Sequence, residues 1–124
     1  MKQQHILIAL LFFGLSSCNS QNQSVAACKN LDVAAFKAKM AEPGVAVLDV
    51  RTPAETAEGM VQGASQLDFE AANFEAEVDK LDKEKTYLVY CQRGGRSSKA
   101  CKLMAKKGFK YLYNLQDGYQ SWTE

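Results

Sequence analysis

Two stretches of this chain are apolar almost without interruption. Thr86-Tyr87-Leu88-Val89-Tyr90 is rich in β-branched and aromatic residues, and Val45 to Val50 is broken only by Asp49. Continuous runs of this length predict strands buried on both faces. Elsewhere, apolar residues return every third or fourth position. Asp32 can cap a helix over 33–41 with Phe36 and Met40 inward, ended by Pro43-Gly44. Pro53 to Glu58 predicts a short helix stopped by Gly59, and Ser65 to Phe69 a short strand. Ala71 to Leu81 predicts a helix with Phe74, Val78 and Leu81 on one face. Ser98 to Lys107 predicts another, with Ser97 as N-cap and Gly108 as terminator, and Tyr111 to Leu115 a last strand. Strands alternating with helices make an α/β domain of three layers, a parallel sheet with helices on both faces. In such sheets the functional site lies beyond the carboxyl ends of the strands. Asp49 and Cys91 both stand there.

Cys91-Gln92-Arg93-Gly94-Gly95-Arg96-Ser97 joins the most apolar strand to the following helix. Backbone N–H groups of so short a loop, and the positive end of the helix dipole, converge on one point. A cysteine there, with two arginines close by, is held as thiolate near neutral pH, and thiolate is the nucleophilic form. Gly94 and Gly95 allow positive φ and leave room for an anion. Arg96 can fold back onto the loop carbonyls or the anion, while Arg93 points outward to the substrate. A buried, inert cysteine followed by a turn is the plainer alternative for Cys91 alone, but not for the whole constellation.

The loop resembles the active-site loop of single-domain rhodanese-like sulfurtransferases, Cys-x-x-Gly-x-Arg-Ser/Thr. Leu48-Asp49-Val50-Arg51-Thr52-Pro53-Ala54-Glu55 resembles the first signature of that family, and Asn114-Leu115-Gln116-Asp117-Gly118-Tyr119-Gln120-Ser121-Trp122 its last. The likeness runs from about Asn30 to the end of the chain. Gly59-Met60-Val61-Gln62-Gly63-Ala64 departs from the family's Gly-His-Ile-x-Gly-Ala at Met60. Sulfur chemistry needs no histidine base, so this touches packing or the rim of the site. Cysteine-dependent phosphatases build a similar cradle but place the arginine one residue further along, in a wider pocket.

The resemblance implies transfer of a sulfane sulfur, from thiosulfate or a similar small anionic donor to cyanide or a thiol, through a persulfide on Cys91. Gln92, Arg93, Gly94, Gly95, Arg96 and Ser97 form the substrate loop. No metal or organic cofactor is implied. A non-turnover carrier that passes the sulfur to a protein acceptor is one alternative. A thiol redox protein using Cys91 with Cys28 is another. Asp49 and Arg51 are expected to support the loop, Asp49 by orienting it or pairing with Arg96, with a plain turn role as the alternative. Arg51 and Glu55, four apart, suggest a local ion pair fixing the Thr52-Pro53 turn. Tyr119 and Trp122 are expected to pack against the sheet.

The first residues bear on where the protein works. Ile6 to Leu15 is apolar, too short to span a membrane and of the right length for a signal h-region. Leu15-Ser16-Ser17-Cys18 resembles the bacterial lipobox, in which cleavage precedes a lipidated cysteine. Residues 1–17 are thus expected to be a lipoprotein signal peptide. Residues 18–29 would be the lipidated Cys18 and a polar tether, and residues 30–124 the domain. The domain would sit in a bacterial cell envelope on the periplasmic or surface side, held to the membrane only by lipid.

Loss of the leader removes His5, the single histidine, and with it any catalytic arrangement or metal site that needs one. Lys2 also goes, leaving 14 basic and 14 acidic side chains. No global field remains to attract nucleic acid. One domain is expected, as a monomer. Cys101 shares a helix face with Ser97, Ala100 and Met104 and is expected to be a buried thiol. Cys28 can be free, can pair with Cys101, or can attack sulfur carried by Cys91.

Overall fold

The computed structural model describes Gly14 and residues 27–123. Cys18, most of the tether and the predicted leader other than Gly14 lie outside the described residues. Five parallel strands form one sheet in the order β1-β5-β4-β2-β3, where β1 is Lys29–Leu31, β2 Val45–Asp49, β3 Ser65–Gln66, β4 Thr86–Tyr90 and β5 Tyr111–Leu115. The strand with the longest apolar run, β4, occupies the centre. Its alternate residues serve two cores, as a period of two requires. Tyr87, Val89 and Cys91 face α3 (Phe74–Asp79) and α4 (Gly95–Lys106), with Phe74, Val78, Ala100 and Met104 opposite them. Leu88 and Tyr90 face α1 (Val33–Met40) through Phe36, with Tyr119 from a 3-10 turn at Tyr119–Ser121 and Trp122 just after it. The expected three-layer α/β architecture is the one found.

Local chemistry explains most boundaries. Asp32 caps α1, its Oδ1 accepting from the Ala35 N–H at 2.8 Å. Thr52 and Glu55 form a reciprocal capping box with Pro53 in the first turn of α2 (Pro53–Thr56). Several expected elements are shorter than their sequence pattern. α2 stops at Thr56. β3 pairs over two residues, although the chain continues beside β2 through Leu67 N–H to Asp49 O and Phe69 N–H to Val50 O. Residues 71–73 form a turn, so α3 begins at Phe74.

Four findings correct the sequence reading. The edge strand β1 was not expected. Ser97 is not the cap of α4: the helix begins at Gly95, Gly94 is its N-cap, and Ser97 is buried in the first turn. Gly95 has helical rather than positive φ. Finally, Cys101 is buried on the inward face of α4 as expected, but as a disulfide with Cys28 rather than a free thiol. This link closes a loop of 73 residues in sequence, worth about 4 kcal/mol in a chain-entropy account.

Candidate active site

Cys91 lies one residue beyond β4, at the floor of a cleft of about 440 Å³ lined by Glu55, Gln92, Arg93, Gly95, Arg96 and Lys99. Among the described residues it is the free cysteine. The Gly94 N–H donates to its sulfur at 3.1 Å, and the Ser97 hydroxyl is 3.3 Å away. Burial pushes the thiol up. Hydrogen bonds from the Ser97 side chain and from the backbone N–H groups of Ser97, Arg93 and Gly94 outweigh it and hold the thiol below its ordinary value. The site can therefore hold negative charge on one sulfur atom without a histidine or a metal. A methyl group added to Gly95 would meet nothing within 4 Å, so the cleft is open beside that residue.

The loop keeps its shape because other backbone passes against it. Gly94 has φ +96°, and a Cβ there would come within 2.1 Å of the Gln116 carbonyl. Gly118, with φ +72°, lets the C-terminal turn lie on the loop, where a Cβ would strike the Gln92 carbonyl at 2.3 Å. From that turn the Tyr119 N–H donates to Cys91 O and the Gln120 N–H to Gln92 O. The Asp117-Gly118 turn is thus part of the loop's scaffold.

The arginines divide their work differently from the sequence reading. Arg96 does not fold onto the loop carbonyls and does not pair with Asp49. Its two terminal nitrogens donate to the two oxygens of Glu55 at 2.7 and 2.8 Å. The Arg96 hydrogen bond pulls the Glu55 carboxyl down to about 2 against the effect of burial, with Thr52 assisting. Arg93 is exposed at the rim, as expected. Lys99, one turn into α4, was not singled out from sequence. It reaches the same cleft, and only its spacing of four from Gly95 hints at that.

Arg51 does not pair with Glu55. It is buried and takes Asp49 as its partner, through Nη2 to Oδ2 at 2.7 Å and Nε to Oδ1 at 3.0 Å. Nη2 also donates to the Gly59 carbonyl and Nη1 to Gln92 Oε1. Burial lowers the Arg51 guanidinium, but the hydrogen bonds and charge of Asp49 more than offset this and raise it. Tyr90 O–H donates to Asp49 Oδ2 at 2.6 Å and accepts from the Val61 N–H. Tyr119 lies over the guanidinium, its ring centre 4.1 Å from Cζ. Asp49 and Arg51 reach the loop together, through Gln92. Cys28 is bonded to Cys101 and does not meet Cys91.

Residues 32–124 match the family described as the rhodanese-like domain. A sulfurtransferase of Allochromatium vinosum is 33% identical over 79 residues, which cover 64% of this chain and 72% of that protein. A thiosulfate sulfurtransferase of Coxiella burnetii, GlpE, is 32% identical over 78 residues, covering 63% and 71%. A crystal structure of a rhodanese-like domain protein from Staphylococcus aureus is similar in fold, with a TM-score of 0.68 at 25% identity over 77% of this chain and 92% of that one.

Proposed function

The chain belongs to the rhodanese-like domain family, and we propose that it transfers sulfane sulfur from thiosulfate or a similar anionic donor to cyanide or a thiol through Cys91. The observation that carries this reading is the Cys91 sulfur itself, 3.1 Å from the Gly94 N–H at the start of α4, in a cleft open over Gly95. The name of the Coxiella burnetii relative supports thiosulfate as the donor.

The reaction has two steps. Cys91 thiolate attacks the outer sulfur of thiosulfate. A new sulfur–sulfur bond forms at Cys91, the old one breaks, and sulfite leaves with the bonding electron pair. The terminal sulfur of the resulting persulfide carries the negative charge toward the loop N–H groups. Cyanide or a thiolate then attacks that sulfur, and Cys91 leaves as thiolate, which gives a ping-pong scheme. Arg93 and Lys99 are the cations at the cleft left free to meet the donor, because Glu55 neutralises Arg96.

The test is steady-state thiosulfate:cyanide transfer by the full chain beside Cys91→Ser. Turnover with parallel double-reciprocal lines, lost in the variant, is the expected result. Persulfide loading without turnover would instead favour a carrier for a protein acceptor. Absence of both in folded protein would overturn the reading. We also propose Cys18 as the lipid site of an envelope protein. The Cys28–Cys101 disulfide supports an oxidising compartment. Cys18→Ser should then release the protein from the membrane fraction, and retention there would count against the anchor.

A further inference from the structure

Ser97 has one hydroxyl proton and three acceptors around it. Cys91 Sγ is 3.3 Å away, Gly94 O 3.2 Å and Asn114 Oδ1 2.5 Å. The orientation of Asn114 decides among them. This side chain is buried on β5, and one of its amide atoms lies 3.4 Å from the Gly94 carbonyl and 3.0 Å from Asn30 Oδ1. A carbonyl oxygen only accepts, so the atom facing Gly94 is the amide nitrogen, and Asn114 Oδ1 is turned to Ser97. An amide oxygen also only accepts, so at 2.5 Å the hydroxyl must supply the proton.

While Cys91 is a neutral thiol, the Ser97 proton therefore sits toward Asn114. Ionised sulfur can receive that proton only if the hydroxyl turns away from Asn114 Oδ1. We propose that Asn114 is a positioning residue that draws the Ser97 proton away from Cys91 and so raises the pH at which the thiolate forms. The backbone N–H groups and, once the sulfur ionises, the Ser97 hydroxyl lower the thiol, and Asn114, by competing for the Ser97 proton, limits how far. This deepens the proposed function, since it rests on Cys91 as the nucleophile.

The charged groups around the loop are the Arg96–Glu55 pair with Glu70 beside it, the rim cations Arg93 and Lys99, and the Asp49–Arg51 pair behind Gln92. Neither Asn114 nor Asn30 is among their partners, so neutral substitutions at the two asparagines leave all of these in place.

The experiment is the pH dependence of iodoacetamide alkylation of the Cys91 peptide, followed by mass spectrometry in the full chain. Asn114→Leu should lower the midpoint by about one pH unit, the size of one hydrogen bond to a charged group. Ser97→Ala should raise the midpoint more in the Asn114→Leu background than in the native protein. A midpoint that stays or rises in Asn114→Leu would overturn the proposal. Should that variant fail to fold, Asn30→Ala, at an exposed edge position, leaves the Asn114 amide freer to turn. A smaller fall is expected there, and no fall would equally overturn the proposal. Alkylation needs no sulfur donor, so a failure of sulfur transfer is read separately from a failure here.

Discussion

Two carboxylate–guanidinium pairs stand at the carboxyl end of this sheet, alike in chemistry and different in setting. The Asp49 and Arg51 side chains are 0% and 2% exposed, whereas Glu55 and Arg96 are 30% and 26% exposed. The buried pair is closed on every side, by Tyr90, the Gly59 carbonyl, Gln92 and the ring of Tyr119. Desolvation cancels much of the attraction within such a pair, but removing one member strands a charge in the core. The outer pair keeps one side in water, where an ion pair adds little to stability. What it fixes is the charge at the cleft, since it takes Arg96 out of the set of free cations. Burial, more than charge, decides which pair holds the fold and which sets the cleft.

The largest effect is expected at the inner pair. Asp49→Ala should cost about 3–5 kcal/mol in urea unfolding. A loss below about 1 kcal/mol would erase the distinction between the pairs. Tyr90→Phe should come next, at about 1–3 kcal/mol, because the buried Val61 N–H loses its acceptor along with the bond to Asp49. Both are read by equilibrium unfolding at neutral pH.

At the outer pair the expected order of effects reverses, with little in stability and more in kinetics. Glu55→Gln should shift unfolding by no more than about 1 kcal/mol. By freeing Arg96 it should lower KM for thiosulfate and leave kcat unchanged. The pH dependence has a definite sign. Arg96 holds the folded Glu55 carboxyl down at about 2, below the unfolded value of about 4.3. Its contribution is full above the unfolded value and is lost as pH falls toward the folded one. The stability gap between native protein and Glu55→Gln should therefore close on acidification, and a gap that widened would contradict the pairing. Smallest in stability is Arg93→Ala, within about 0.5 kcal/mol at this exposed position, with a rise in KM for thiosulfate as its signature.

The same contrast shows what was legible in the sequence. β4 and β5 were readable to the residue, β4 because the central strand of a parallel sheet must be apolar on both faces. The position of Cys91 and its loop, beyond the carboxyl end of β4, was readable for the same reason, since the loop follows the most apolar strand. The edge strand β1 was not. Lys29-Asn30-Leu31 is three residues long with two of them exposed, too little to show a period. The ion pairs were legible in kind but not in pairing. Arg51 and Glu55 sit four apart, as on a helix, yet α2 begins only at Pro53, so Arg51 lies outside it and turns into the core. Ser97 has a capping residue's identity but is consumed inside the first turn, because Gly94 with positive φ ends the loop earlier. The Cys28–Cys101 pairing was one of several left open, since spacing in sequence does not set distance across β1 and α4.

Cys91 is proposed to carry the sulfur. The most direct measurement is a single exposure of the full chain to thiosulfate without acceptor, with the mass of the Cys91 peptide and released sulfite read together. The expected result is a gain of one sulfur atom on that peptide, one sulfite per chain, and loss of both in Cys91→Ser. An unchanged peptide mass in folded protein with a free Cys91 thiol would contradict it.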